Sequence, residues 1–255
     1  MLRNGLYLIS IGLWDEKDIS LRGLELARTC DMLFAEFYTT KLNTSKERLE
    51  RLIGKRIEIL SRSDLEENVE RLIEKAKEKR VGLLVGGDCL VATTHSTLVL
   101  MAREKNIPVK IVHSSSILSA IGESGLHLQK FGPWVTIPFL SKTKGKLPES
   151  VYEVIKANKA RGLHTLCLLD VEEGKCLTPN EGMEILLEIE RIRKENVFTE
   201  ESELVILTRI GSESGKIFYG TVKKLIKRKY ETPASLIALG ILHFSEKHFL
   251  QCFKC

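Results

Sequence analysis

The chain has 255 residues, 43% hydrophobic and 29% charged, the make-up of a soluble globular protein with room for one large domain or two of roughly 110 to 140 residues. Its 39 basic and 34 acidic residues give a formal net charge of +5 that is spread along the sequence, so nucleic-acid binding is not indicated. No stretch approaches the roughly 18 apolar residues of a membrane span, and no apolar leader precedes the six cysteines, so a reducing cytoplasm is the expected compartment.

Leu6 to Ile11 is an apolar run ending at Gly12, which predicts a buried strand followed by the loop Gly12-Leu13-Trp14-Asp15 and a helix from Ser20. Met32 to Phe37 reads as a second strand, Ser45 to Ile53 as a helix and Arg56 to Leu60 as a third strand. Leu65, Val69, Leu72, Ile73 and Ala76 at helical spacing, with Ser63 and Glu66 as a capping box, predict one helix from Asp64 to Arg80. Strand Val81 to Val85, a helix around Thr94 to Glu104 and strand Val109 to Val112 follow, and this alternation implies βαβ units and a mainly parallel sheet ending near residue 112. Beyond it the pattern is α+β, with strands at Trp134 to Pro138, Thr165 to Val171, Leu204 to Thr208 and Leu236 to Leu239, and helices at Pro148 to Ala160 and Pro179 to Lys194. Ser141 to Gly145 reads as a polar loop. The basic run from Lys223 to Lys229 fits a solvated helix face, with a docking patch for RNA or an acidic protein as the other reading.

Val81 to His95 holds the densest chemical signal, because an apolar strand runs into Gly86-Gly87-Asp88. Paired glycines let the backbone take positive φ and approach a ligand, and the carboxyl end of a strand in an open α/β sheet is where ligands bind. Asp88 either caps the next helix or meets the ligand. His95 and His113 each fit a base, a metal ligand or a satisfied hydrogen-bonding residue. Ser114-Ser115-Ser116 fits a helix cap at Ile117 or a ligand contact. GxGxxG after the first strand, GxxxxGK[ST], HExxH and GxSxG are all missing, which disfavours ordinary dinucleotide and triphosphate sites. Cys252 and Cys255 form a CxxC with no second pair or histidine partner, so no metal site is expected.

Taken together, Ile11-Gly12-Leu13 with Asp15-Glu16-Lys17-Asp18-Ile19, then GD-x-LVATTH from Gly87 to His95, HSSSILSAIGESGLHLQKFG from His113 to Gly132, RGLHTLCLLD from Arg161 to Asp170, Arg209-Ile210-Gly211-Ser212 and Gly240 to Phe244 resemble the archaeal-type diphthine synthase family. That resemblance implies a two-domain tetrapyrrole methylase-like α/β fold, an N-terminal mainly parallel domain over residues 1–112 and a C-terminal mixed domain over 113–255, with S-adenosylmethionine in the cleft between them. It implies repeated N-methylation of the 3-amino-3-carboxypropyl-histidine of translation elongation factor 2, with S-adenosylhomocysteine as product, by a cytoplasmic homodimer. Carried over by motif, the cofactor contacts are Leu13, Asp88, Val91, Ser116, Ile117, Leu169 and Ile210. Ser235 stands where a contacting histidine is common and is kept as a cofactor contact through its hydroxyl, and Cys89 and Leu239 stand where the family has proline. Methyl transfer to an amine needs alignment more than acid–base groups, an effect worth roughly 7 to 11 kcal/mol, so no catalytic residue is named and Asp88 is assigned to the cofactor rather than to proton transfer. Methylation of a tetrapyrrole or other small amine, and a noncatalytic RNA- or ribosome-associated module, are the alternatives.

Overall fold

A computed structural model describes residues 3–172 and 174–255. The chain divides into two compact units, Met1–Ser119 and Ala120–Cys255, where the sequence placed the change of pattern near residue 112.

The first unit is built on β1 (Gly5–Gly12), α1 (Leu21–Thr29), β2 (Met32–Ala35), α2 (Lys46–Ile53), β3 (Glu58–Ile59), α3 (Arg62–Glu66), α4 (Glu70–Glu78), β4 (Arg80–Gly86), α5 (Ser96–Glu104), β5 (Val109–Val112) and the short α6 (Ile117–Ala120). Its sheet has the order β3-β2-β4-β1-β5 with every pairing parallel. β1 and β4 are buried on both faces, which is why they read as continuous apolar runs rather than as alternation. Leu26 and Ala27 of α1 and Leu49 and Ile53 of α2 pack on one face, Leu72, Ile73 and Ala76 of α4 and Leu98, Val99 and Ala102 of α5 on the other. The connection out of β1 therefore leaves on one face and the connection out of adjacent β4 on the other, and their carboxyl ends border a topological switch point.

The single helix predicted from Asp64 to Arg80 is two. Ser61 is the N-cap of α3, its Oγ accepting from the Asp64 N–H while the Asp64 carboxylate accepts from the Ser61 N–H, so the capping box begins two residues before the one predicted at Ser63. The Asn68 N–H turns back to the Ser63 carbonyl, and the helix restarts at Glu70, while Arg80 begins β4. The apolar spacing survives this break, because Leu65, Val69, Leu72, Ile73 and Ala76 all enter one core.

The second unit contains β6 (Val135–Ile137), α7 (Glu149–Ala160), β7 (Thr165–Leu169), a small β8 (Val171–Glu172) and β9 (Lys175–Cys176) hairpin, α8 (Pro179–Arg193), β10 (Glu203–Thr208), β11 (Lys216–Thr221), α9 (Val222–Leu225), β12 (Ala234–Ala238) and α10 (Phe244–Leu250). Its sheet has the order β11-β10-β12-β7-β6, parallel only between β6 and β7. α8 starts cleanly because Thr178 and Glu181 form a capping box with Pro179 at the first turn, and it packs Met183, Leu186 and Ile189 against the sheet. Each such fully buried aliphatic side chain contributes roughly 1.5 to 3 kcal/mol. The sequence reading missed β11 and α10. The basic run is also not a long helix face: only Val222 to Leu225 is helical, and Lys227 to Lys229 follow it as a turn, a bend and irregular chain.

Candidate functional site

Three loops meet at the carboxyl edge of the first sheet, and hydrogen bonds between them explain their shapes. The pairing of β1 with β4 shifts register between Ser10 and Gly12, which frees the loop after β1 to turn towards the one after β4. Gly12 and Gly87 then exchange both backbone hydrogen bonds, at 3.1 and 2.7 Å, with φ of 109° and 66° that other residues rarely adopt. The Cys89 N–H donates to Oγ of buried Ser10 at 2.9 Å. A proline at position 89 has no N–H to give, so this bond does part of the fixing that proline's closed φ would do.

Asp88 is 6% exposed, and its carboxylate ties two loops together. Oδ1 accepts from the Leu90 N–H at 3.1 Å, while Oδ2 accepts from the Ser114 N–H at 3.2 Å and lies 2.8 Å from Nδ1 of His113. Asp88 does not cap α5, which starts eight residues later under His95. The loop after β1 joins the same set: the Asp18 carboxylate accepts from the Trp14 N–H at 2.6 Å, and the Asp18 carbonyl accepts from Ser114 Oγ at 3.0 Å. Of the residues expected to meet a cofactor, Leu13, Asp88, Val91, Ser116 and Ile117 are thereby gathered on this one edge. Asp88 and Ser116 are buried, the three apolar side chains half-buried. Of the two readings of the serines, a cap at Ile117 or a ligand contact, the cap finds no side-chain bond from Ser116 among the described residues; the Ser116 N–H donates to Ser119 Oγ.

His95 is 1% exposed, with Nδ1 3.3 Å from the Cys89 carbonyl, which also accepts from Thr93 Oγ1 at 2.8 Å. Burial pushes its pKa down despite the carboxylates of Glu36 and Glu66, so the ring is neutral, and its Nε2 has no partner among the described residues. Burial likewise raises the Cys89 thiol, which makes it inert.

In the second unit, Leu169, Ile210 and Ser235 share one end of the sheet: the carboxyl ends of β7 and β10 and the amino end of β12. Ser235 stands opposite both Leu168 and Leu207, and the Arg209 N–H donates to the Pro233 carbonyl at 2.8 Å, placing Ile210 beside the start of β12. All three side chains are buried. Asp170 closes this end, its carboxylate accepting from the Phe139 N–H at 3.2 Å and from Lys142 Nζ at 2.8 Å.

The opposite end of that sheet holds a cluster that the sequence reading quoted without assigning. Glu246, fully buried, accepts from the His127 and His243 N–H groups at 2.8 and 2.7 Å and from Lys130 Nζ at 2.5 Å, and lies 3.2 Å from Nε2 of His164. The His164 Nδ1 accepts from the Gly240 N–H at 3.0 Å, so the ring's proton is on Nε2 and points at the carboxylate. Three Leu-His pairs from distant parts of the chain thus converge on one glutamate. Among the described residues no group of His, Cys, Asp and Glu is arranged to hold a metal ion, and no helix is long and apolar enough to cross a membrane.

Comparison with known proteins places this geometry in context. Residues 5–226 match the family model of tetrapyrrole (corrin/porphyrin) methylases. The chain is 43% identical over 252 residues to a diphthine synthase of Methanocaldococcus jannaschii, covering 96% of this chain and 97% of that one. It is likewise 43% identical over 250 residues to a diphthine synthase of Methanococcus vannielii, with 96% and 97% covered. A solved diphthine synthase structure superposes with a TM-score of 0.89 at 37% identity, covering 98% of this chain and 95% of that one.

Proposed function

Because the chain belongs to the tetrapyrrole methylase family and, within it, to the diphthine synthases, we infer that it is an S-adenosylmethionine-dependent methyltransferase that modifies the 3-amino-3-carboxypropyl-histidine of translation elongation factor 2. The observation that carries this reading is likeness over nearly the whole chain, which spans both units and every motif quoted above.

The residues fit the cofactor. A Cβ built on Gly87 meets nothing within 4 Å, so there is open space directly over the glycine loop. Half-buried Leu13, Val91 and Ile117 offer apolar surface to an adenine ring beside it. When bound, S-adenosylmethionine supplies a methyl group already activated by the sulfonium, so the acceptor needs a lone pair and alignment more than it needs an electrophile.

The chain's own groups do the holding. Asp88 fixes the loops after β4 and β5 through three N–H donors, and its carboxylate oxygens keep acceptor capacity for one ligand donor. Ser116 and Ser235 contribute short hydroxyls, Leu169 and Ile210 apolar surface. On the same reading the protein works in the cytoplasm as a homodimer.

Asp88→Ala should weaken calorimetric binding of S-adenosylhomocysteine at least about tenfold, as expected for a charge-assisted hydrogen bond, and an unchanged Kd would remove Asp88 from the site. For the substrate, labelled cofactor is offered to elongation factor 2 bearing the modified histidine and, separately, to a precorrin. Label on the precorrin alone overturns the assignment.

A further inference from the structure

We propose that His113 is the catalytic base that takes the proton from the substrate's ammonium group before each methyl transfer. This rests on the methyltransferase reading above and names the group that the reading leaves open. The acceptor is an α-amino group beside a carboxylate, which titrates between the peptide α-amino value of about 8 and the lysine value of about 10.4, so at neutral pH the nitrogen is mostly protonated and has no lone pair to attack with. Something at the site must accept that proton, and must be able to shed it before the next cycle.

The loops after β1, β4 and β5 offer eight titratable side chains. Lys17 is a cation, the Cys89 thiol is buried, and buried Glu16 accepts from Thr44 Oγ1 at 2.7 Å and from Arg48 Nε at 3.0 Å. Asp15 caps the turn at Lys17 and faces Arg48 at 3.8 Å. Asp18 is taken up by the Trp14 and Asp15 N–H groups. Asp88 is shielded and holds three N–H donors. His95 is sealed in the interior. His113 alone combines an oriented ring with access, since its side chain is 65% exposed while that of its partner Asp88 is 8% exposed.

The 2.8 Å contact between Nδ1 and the Asp88 carboxylate fixes the tautomer: the proton sits on Nδ1, so Nε2 carries the lone pair and faces away from Asp88. The Ser114 N–H on the same carboxylate oxygen, and Ser114 Oγ on the Asp18 carbonyl, hold the backbone next to the ring. This is the arrangement in which a carboxylate orients a histidine and stabilises the imidazolium it becomes. Ser116 and Ile117, assigned to the cofactor, follow three and four residues later on the same loop.

In the step itself, an ammonium N–H bond breaks and its electron pair stays on nitrogen, while the proton forms a bond to His113 Nε2. The positive charge on the ring faces Asp88, with Asp15, Glu16 and Asp18 the carboxylates on the neighbouring loop, Glu16 being paired with Arg48, and the exposed ring returns the proton to water. The freed lone pair then takes the methyl group as the carbon–sulfur bond breaks and its electrons settle on sulfur. The sequence repeats for each methyl added, with no oxidant or further reactant.

The test uses the whole chain with elongation factor 2 carrying the modified histidine. General-base loss in His113→Ala and His113→Gln should lower single-turnover methylation at pH 7 by about a hundredfold or more, with saturating cofactor. His113→Gln, whose amide can still donate to Asp88, should keep the S-adenosylhomocysteine Kd and the thermal midpoint closer to wild type than His113→Ala does. Both variants should lose far more rate than binding, the rate should recover as pH rises, and added imidazole should restore part of the His113→Ala rate. In the unmodified chain, long-range proton–nitrogen spectra should report the Nδ1–H tautomer. A variant rate within threefold of wild type, a rate loss matched by an equal loss of cofactor binding without imidazole rescue, or an Nε2–H tautomer overturns the proposal. Wild-type protein that leaves elongation factor 2 unlabelled removes the substrate reading and this inference together; active wild type with an equally active His113→Ala removes the inference alone.

Discussion

Glu246→Gln isolates the buried carboxylate of the second unit with almost no change in volume. Glu246 Oε1 accepts from the His127 N–H and the His164 ring, and Oε2 from the His243 N–H and Lys130. A glutamine can keep one of these pairs, but its amide NH2 then points at the donors of the other. Burial pushes the Glu246 pKa up, yet the Lys130 ammonium, the two backbone N–H groups and His164 together override it and hold it at about 2, below the ordinary 4.5. A carboxylate with a lowered folded pKa stabilises the fold above its unfolded value and loses that contribution as pH falls towards the folded one. The displacement corresponds to roughly 3 kcal/mol at pH 7, in line with the 3 to 5 kcal/mol typical of breaking one side of a buried pair. Urea unfolding followed by circular dichroism should therefore show Glu246→Gln about 3 kcal/mol less stable at pH 7, and the gap should narrow by about 2 kcal/mol at pH 3, where the wild-type advantage is mostly spent. A gap below 1 kcal/mol, or one that does not change with pH, would refute the reasoning.

Two perturbations probe the glycine loop. Ser10→Ala leaves the Cys89 N–H buried without its acceptor and should cost about 1 to 3 kcal/mol in thermal melts; adding Cys89→Pro, which deletes that donor, should return part of the loss. His95→Leu removes both the bond to the Cys89 carbonyl and an unpartnered Nε2, so these opposing effects should leave stability at pH 7 within about 1 kcal/mol of wild type. The same variant should flatten the acid limb. Burial holds His95 below the ordinary 6.5, so the unfolded chain binds a proton that the folded chain refuses, and stability falls as pH drops below 6.5. Melts from pH 7 to pH 5 with equal slopes for both proteins would refute this.

What the sequence disclosed and what it withheld follow from how local each signal is. β1 and β4 were legible because a strand buried on both faces is a bare apolar run, and Gly12 at the end of one and Gly87 just after the other mark a backbone turn that few other residues make. β11 was not, because Lys216 to Thr221 owes its place to antiparallel pairing with β10 and carries no strong pattern of its own. The break between α3 and α4 was hidden for the opposite reason: the core-facing spacing continues across it, and only the Ser61 cap betrays the earlier start. Individual residues followed the same division. Asp88 was visible as a functional group, but its role as a tie depends on His113 and Ser114, 25 and 26 residues away, and sequence spacing has no bearing on that distance. His127, His164 and His243 lie inside quoted motifs but drew no reading of their own, because their common partner Glu246 lies 119 and 82 residues from the first two and a lone glutamate near the end of the chain announces nothing. Cys89 shows why a departure from a family pattern needs the three-dimensional partner before it is weighed. Set against proline it looks like a loosened loop; set beside Ser10 Oγ it is a donor with a buried acceptor 2.9 Å away, and the restraint passes from a ring closure to a hydrogen bond.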